Sequence, residues 1–459
     1  FFLTMQSFKL PLRDVHYKND NFIIADYDYN LQYYCYYRAR FNQMKARLMK
    51  SAKNVWPGCP IYSLNDLAET KMDSDNLQNE ELIDDNNPLV GKTLIVLGIL
   101  LKKMSNQPNI LKEIDDERKS GNPNEDLSTL NCKFISDTDS LYLQENDESI
   151  ELKGDVQIDQ LCTGICAAVK GQINPNGSGF IVEDVCFIEN TSQTIEKPFK
   201  SENYHVLLVS GLSFSEDLIS NKKLSLSLNL LFDVVTGNSQ LILNKHIVSI
   251  IIAGNNIKDK CDSKNSDSSL KKDKLNSYES IRTFDNFLAN VGQYMFVDVM
   301  PGRTDLCTFL WPQQPLHPCL FPKAFRLSTI RSVTNPHRAS YFGVDMLGTS
   351  GENVESIRSC TSFNDSVEIM RNLLQWGHIS PTCPDLLHSY PFSDNDPLVL
   401  NDYPDIFFAG NQNDFGIGSM PTPDDRKTIR LISIPKFSEK FIGVLVNLKT
   451  LDCEMLAFN

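Results

Sequence analysis

The sequence predicts an all-β barrel followed by an α/β domain. From about Tyr204 onward, long apolar runs alternate with helical segments, the pattern of buried parallel strands joined by crossovers. Between Lys92 and Cys186 the apolar pieces are shorter and are separated by turn-rich stretches, which suits a small barrel. In the C-terminal half four apolar runs each end in a glycine turn: LLVSGLS (Leu207 to Ser213), IIAGNN (Ile251 to Asn256), VDVMPGRTD (Val297 to Asp305) and FFAGNQND (Phe407 to Asp414). Loops at the carboxyl ends of strands in open α/β sheets converge on one crevice, so these four turns are expected to share one place.

With 459 residues the chain is long enough for about three domains. A formal net charge of −14 argues against a protein whose main surface grips a phosphate backbone, while leaving room for a local basic groove. The 12 cysteines show no paired C-x-x-C spacing. Cys162 and Cys166, four apart in a stretch read as a strand, are expected to share a face as buried thiols rather than to hold zinc. No secretory segment opens the chain and no stretch reaches the length of a membrane span, so the thiols are expected to stay reduced, in cytosol or nucleus.

Taken in order, the first distinctive segment is Tyr27 to Lys50, dense in tyrosine and then in Arg and Lys. From Leu31 it has helical spacing, with Tyr34, Tyr37, Phe41 and Met44 three or four residues apart. Aromatics among bases also suit single-strand binding. A helix packed on its own protein or on a partner is the preferred reading. Tyr33, Tyr36 and Tyr37 are candidate partner contacts, because they crowd the segment beyond what one helical face buries. Lys71 to Pro88 reads as a solvated acidic loop. The pieces TLIVLGILLKK, ESIELKG, CTGICAAVKG and GFIVEDVCF follow, and an OB-fold is the leading candidate for them. Gly91-Lys92-Thr93 is not a phosphate-binding loop, since it lacks the first glycine and precedes a strand instead of following one. Lys258 to Ser277 reads as a mobile charged insertion, and Ser280 to Val291 as a helix packing back on the sheet. Pro312 to Pro322, PQQPLHPCLFP, holds four prolines in eleven residues and must be a fixed, extended loop.

The order and local sequence of the four glycine turns resemble the calcineurin-like metallophosphoesterase fold, whose strand-end motifs run Asp-x-His, Gly-Asp-x-x-Asp, Gly-Asn-His-Asp or Glu, and Gly-His-x-His. That resemblance implies a β-sandwich flanked by helices. It also exposes what is missing. Gly211 and Ser213 stand at the Asp and His of the first motif, Asn255 and Lys258 at the two acids of the second, Arg303 and Thr304 at the Asn and His of the third, and Asn411 and Asn413 at the histidines of the fourth. Asp305 is the one retained acid. Two-metal hydrolysis needs ions about 3.5–4 Å apart held by several carboxylates and imidazoles, so no catalytic residue, metal or cofactor is expected here.

The proline-rich string, together with LGTSGENV (Leu347 to Val354), HISPTCPD (His378 to Asp385), YPF (Tyr390 to Phe392) and FFAGN, resembles the small, non-catalytic regulatory subunits of eukaryotic DNA polymerase delta over most of the chain, from about Leu31. The resemblance implies an N-terminal segment (1–30) packing on the phosphoesterase-like domain, an OB-fold domain with a leading helix (31–190) and an inactive phosphoesterase-like domain (200–459). It implies a nuclear scaffold in DNA replication and repair synthesis. Its partners would be the cysteine-rich C-terminal domain of the catalytic subunit and a third accessory subunit that reaches the sliding clamp, with weak or indirect DNA contact and no membrane. His378 and His317 are read as structural hydrogen-bonding groups, and Asp305 as a turn residue, paired or solvated. Two other functions remain open: a residual phosphodiesterase or exonuclease using Asp305, Asn255, Asn411, Asn413 and His378, or a single-strand-binding OB module.

Overall fold

A computed structural model describes residues 14–28, 30–67, 91–107, 133–174, 179–189, 203–215, 221–238, 245–258, 270–423 and 427–459. The acidic loop expected over Lys71 to Pro88, and most of the insertion expected over Lys258 to Ser277, lie outside them.

A short strand β1 (Val15–Tyr17) precedes helix α1 (Tyr34–Val55). The helix stops where the sequence reads Trp56-Pro57-Gly58, a proline that cannot continue it followed by a glycine at φ +88°. Its inward stripe is Tyr36, Arg40, Met44, Leu48 and Ala52, with Phe41 beside it. The stripe therefore starts at Tyr36 and not, as the spacing predicts, at Tyr34, which is exposed. The apolar periodicity misses this because a fully buried arginine holds the inward position at 40.

The barrel consists of β2 (Ile61–Tyr62), β3 (Leu94–Lys103), β4 (Ser140–Glu145), β5 (Glu148–Gly154), β6 (Cys166–Ile173) and β7 (Phe180–Cys186). Its strands run β2-β3-β4-β5-β7-β6, and β6 returns to β3 in antiparallel register from Leu94↔Gly171 to Ile99↔Cys166, which closes five of them into a ring. β3 is apolar on both faces for a simple reason. Leu94, Val96 and Leu100 face the barrel core, whereas Ile95, Leu97 and Ile99 meet Phe41, Met44 and Leu48 of α1. Burying each of those three α1 side chains contributes about 1.5–3 kcal/mol. Cys162 does not share a strand with Cys166: it lies in the turn before β6, and both thiols are buried and free. The apolar run misleads because Leu161 to Ile165 is buried as a loop, held by Gly164 N donating to Leu100 O and Leu100 N to Ile165 O at 2.8 Å each.

The C-terminal half builds two more sheets from β8 (Tyr204–Val209), α2 (Lys222–Val235), β9 (His246–Ala253), α3 (Leu270–Val291), β10 (Phe296–Met300), β11 (Ile330–Ser332), β12 (His337–Tyr341), β13 (Val344–Thr349), α4 (Glu352–Cys360), α5 (Ser366–Gln375), β14 (Ile406–Gln412), β15 (Gly416–Pro421), β16 (Thr428–Pro435), α6 (Phe437–Lys440), β17 (Ile442–Asn447) and β18 (Cys453–Ala457). One sheet runs β11-β10-β9-β8-β17-β18 and the other β1-β12-β13-β14-β16-β15. They stack face to face over a shared core that includes Leu208, Ile251, Met346, Phe408 and Ile432. α2 and α3 cover the outer face of the first sheet. α4 and α5 cover the second, and their core continues without a break into the barrel through Val354, Ile357 and Cys360. α3 begins at Leu270, inside the segment expected to be a mobile insertion. Its apolar spacing, Ile281, Phe284, Leu288 and Val291, starts beyond Ser277, so its first turns carry no amphipathic signal. The proline-rich loop is extended apart from one 3-10 turn at Pro318–Leu320, where His317 Nδ1 accepts from Cys319 N.

A polar relay crosses the sandwich core. Asn19 Nδ2 donates to His337 Nδ1 (3.0 Å), His337 Nε2 meets the Tyr341 hydroxyl (2.9 Å), and Tyr341 donates to Asp298 Oδ2 (2.7 Å) on the opposite sheet. With Nδ1 accepting, the imidazole proton sits on Nε2 and the ring is neutral. Burial pushes His337 down to about 3. The unfolded chain takes up a proton near pH 6.5 that the folded chain refuses, so stability is complete above that pH and falls as pH drops from about 6.5 toward 3, by about 1.4 kcal/mol for each whole step of pH. Denaturation series at pH 7, 6 and 5 should show this decline, and His337→Gln should remove about one proton from it. An unchanged slope in that variant would mean that the ring titrates alike in both states.

Candidate functional site

The four glycine turns do meet. Three leave the carboxyl ends of adjacent parallel strands β8, β9 and β10, and the fourth leaves β14 of the facing sheet. Left-handed backbone makes the turns: φ is +63° at Gly211, +50° at Ser213, +74° at Gly254, +55° at Asn255 and +56° at Asn411. Glycine and asparagine tolerate that region best. Gly211 N donates to Gly254 O (2.9 Å) and Ser213 N to Asn255 O (3.2 Å), so the first two turns are laced together.

Asp305 is the keystone of the third turn. Its Oδ1 accepts from Asn256 N (2.8 Å) and Ile257 N (3.0 Å), and its Oδ2 from Gly302 N (2.9 Å) and Asn256 Nδ2 (3.1 Å). The carboxyl is buried in the turn, paired with N–H groups and not solvated, and burial pushes it up to about 7 against the pull of those donors. Four N–H groups converging on both oxygens leave it no lone pair aimed at an ion. Beside it Thr304 donates from N to Asn255 Oδ1 (3.3 Å) and from Oγ1 to Ile257 O (2.6 Å).

Asn411 fills the centre. Its Nδ2 donates to Ala253 O (3.0 Å) and Ser350 O (2.9 Å), binding the second and fourth turns. A Cβ at Gly211 would lie 2.6 Å from Asn411 Oδ1, so the first turn closes on this amide only because it carries no side chain. The remaining substituted positions point away. Lys258, Arg303 and Asn413 are exposed, and Ser213 is half-buried with its hydroxyl 3.2 Å from that of Ser438. The centre is thus occupied by neutral amides, with the two cations at its rim. His378 is not part of it. Its Nε2 meets Asp396 Oδ2 (2.9 Å), its Nδ1 accepts from Ser380 N (3.0 Å), and burial pushes it down to about 4.

Two residues escape the sequence reading. Asn256, second of an Asn-Asn pair, supplies the side chain that braces Asp305, a role assigned from the motif to neither asparagine. Glu352, at the start of α4 within LGTSGENV, accepts from Trp311 Nε1 (3.0 Å) and Ser350 Oγ (3.2 Å), and burial pushes its carboxyl up. Among the described residues no group of three or more His, Cys, Asp or Glu is placed to hold a metal ion, and no helix is long and apolar enough to cross a membrane.

Of the tyrosines singled out, Tyr36 is fully buried, with its hydroxyl on Asp396 at 3.2 Å, and so is removed from the surface. Tyr37 is half-buried and donates to Asp385 (2.8 Å), and Tyr33 remains exposed. Crowding is relieved inward, because Arg40 stacks on both Tyr36 and Tyr37 at 5.1 Å.

Residues 206–416, which carry all four turns, match a family model for the B subunit of DNA polymerase alpha/epsilon, and residues 32–185 match one described as DNA polymerase delta subunit OB-fold domain. The DNA polymerase delta small subunit of Arabidopsis thaliana is 34% identical over 375 residues, spanning 80% of this chain and 82% of the relative. The chain belongs to the DNA polymerase delta small subunit family. Similar family members include DNA polymerase delta subunit 2 of Drosophila melanogaster, 29% identical over 445 residues (95% of this chain, 96% of the relative), and the small subunit of Saccharomyces cerevisiae, 28% identical over 466 residues (93% and 89%). Membership makes it an accessory subunit of a multi-subunit polymerase that acts in DNA replication. The closed ring of β3 to β7 is the OB-fold that the delta-subunit family model describes.

Proposed function

We propose that this delta small subunit is a non-catalytic nuclear scaffold built on an emptied phosphoesterase-like domain. It joins the cysteine-rich C-terminal domain of the catalytic subunit to a further subunit that binds the sliding clamp. On this reading the chain divides into 1–30, 31–190 and 200–459, with the first segment serving the last through the pairing of β1 with β12. The observation that carries the proposal is the state of Asp305. The one acid kept at the four turns spends both oxygens on four N–H donors, while the amide of Asn411 stands at the centre where a second ion-binding group would be needed. A two-metal centre requires the opposite, several carboxylates with lone pairs free for the ions.

The test is assembly and hydrolysis measured on one preparation. The full chain, mixed with the catalytic subunit under reducing, metal-replete conditions, should form a complex stable to gel filtration. Alone, with manganese and an activated phosphodiester, it should show no turnover above background and carry no stoichiometric metal. Turnover that Asp305→Asn abolishes without unfolding the chain would reinstate a hydrolase, and absence of any complex would end the scaffold reading.

A further inference from the structure

Ile23, Tyr27, Tyr33, Tyr34, Leu306 and Phe309 are exposed apolar side chains drawn from two segments far apart in the sequence. The fold lays these segments along one seam. Trp311 N donates to His388 O and Tyr390 N to Trp311 O, each at 2.9 Å, so the loops around 311 and 389 run side by side. The stretches 23–28 and 30–33 cross them. Ile24 N donates to Gln314 Oε1 (3.1 Å), Tyr33 OH donates to Ser389 O (2.8 Å), and Tyr27 stands edge-on to Tyr390 at 5.6 Å. Phe309, 58% exposed, rests on the His388 ring at 5.6 Å. The Tyr33 hydroxyl is already satisfied inside the chain, so that residue, 45% exposed, offers mainly ring surface outward. Past Tyr34 the seam opens into a cleft of about 580 Å³ between α1 and the β4–β5 hairpin.

The rim of this seam is acidic. Asp26 and Asp28 flank Tyr27 and are exposed, as is Asp385, which receives the Tyr37 hydroxyl. None of the three has a basic partner among the described residues. The exposed bases stand toward the ends: Arg38, stacked on Tyr34 at 5.4 Å, and Arg303, three residues before Leu306. Carboxylates along an aromatic strip repel a phosphate backbone and attract ammonium or guanidinium groups, which aromatic faces also favour.

Resting on the accessory-subunit reading, we infer that this seam docks a basic polypeptide segment of another subunit of the polymerase assembly. The segment lays apolar side chains on Tyr27, Tyr33 and Phe309, and lysine or arginine side chains against Asp26, Asp28 and Asp385. Aromatic anchors inside a charged rim concentrate binding energy in a few residues, so truncating one should be felt.

The experiment uses the full chain in the reconstituted multi-subunit complex. A photo-crosslinking Phe309→benzoylphenylalanine substitution should capture a lysine- or arginine-rich segment of another subunit. The pair Phe309→Ala with Asp26→Lys, neither of which removes a side-chain hydrogen bond among the described residues, should weaken binding of that subunit at least tenfold at about 0.1 M salt and flatten its salt dependence. Leu226→Ala, exposed on α2, should leave both unchanged. A crosslink to an acidic segment or to nucleic acid, or unchanged affinity in the paired variant while the complex forms, would overturn the docking surface and leave the scaffold reading standing. A wild-type chain that assembles with no polymerase subunit would overturn both.

Discussion

Asp396→Ala will destabilise the folded chain by about 3–5 kcal/mol, the cost of leaving a buried guanidinium without its carboxylate. Arg40 and Asp396 both have fully buried side chains, joined by Nε to Oδ2 at 2.7 Å. Arg40 spends three of its four remaining N–H donors on carbonyls, Gly164 O (3.0 Å), Pro381 O (2.8 Å) and Cys383 O (2.7 Å), so one side chain on α1 fastens the barrel to the loop after α5. Asp396 in turn accepts from Tyr36, His378 and Leu398 N. Burial alone would push its carboxyl up, but Arg40 and His378 outweigh it and hold it well below the usual carboxylate range. The stability this supplies is present above about pH 4 and is lost as pH falls further toward the folded value. Urea denaturation with a probe in each half, such as Trp56 and Trp376, should show both transitions shifted together in Asp396→Ala, because the barrel and the α4–α5 layer share one core. Arg40→Met added to Asp396→Ala should recover part of the loss by removing the stranded charge. A loss below about 1 kcal/mol would place the pair among ornamental ion pairs.

Much of this fold is legible in the sequence because its strands are buried on two faces. Runs such as Leu94 to Leu100 and Ile247 to Ala253 announce themselves whatever their neighbours are, and the glycine turns mark where those runs stop. Periodicity fails where burial is polar. Arg40 at the inward position of α1 breaks the apolar stripe and shifts the inferred face by two residues, from Tyr34 to Tyr36. It fails again where the burial of a loop mimics a strand, at Leu161 to Ile165. The substituted turns behave likewise. Set beside the phosphoesterase motifs they resemble, their residue types argue against ion binding, but whether Lys258 and Arg303 fill the site or flank it depends on side-chain direction, which a motif does not carry. The structure turns both outward and gives the centre to Asn411, a residue whose place at a histidine of the resembled motif is legible and whose role as a brace between turns is not.

Asp305→Ala will cost about 3–5 kcal/mol and abolish no reaction, and that combination separates a retained scaffold from a weakened enzyme. Removing the carboxylate strands Asn256 N, Ile257 N, Gly302 N and Asn256 Nδ2 together. A buried donor left without an acceptor costs about 1–3 kcal/mol, and partial relaxation or entry of water keeps the sum of four below simple addition. Asp305→Asn keeps one acceptor oxygen but turns an N–H pair toward N–H donors, so it should fall between wild type and alanine. A catalytic acid would give the reverse ranking of effects. Active-site carboxylates held in strained, desolvated positions often stabilise the chain when removed, and the cost appears in turnover. Thermal unfolding and phosphodiester turnover measured on the same three proteins decide between the two. Loss of stability with turnover at background throughout identifies Asp305 as the pin of the second and third turns. A stable alanine variant with lowered turnover would return the acid to chemistry.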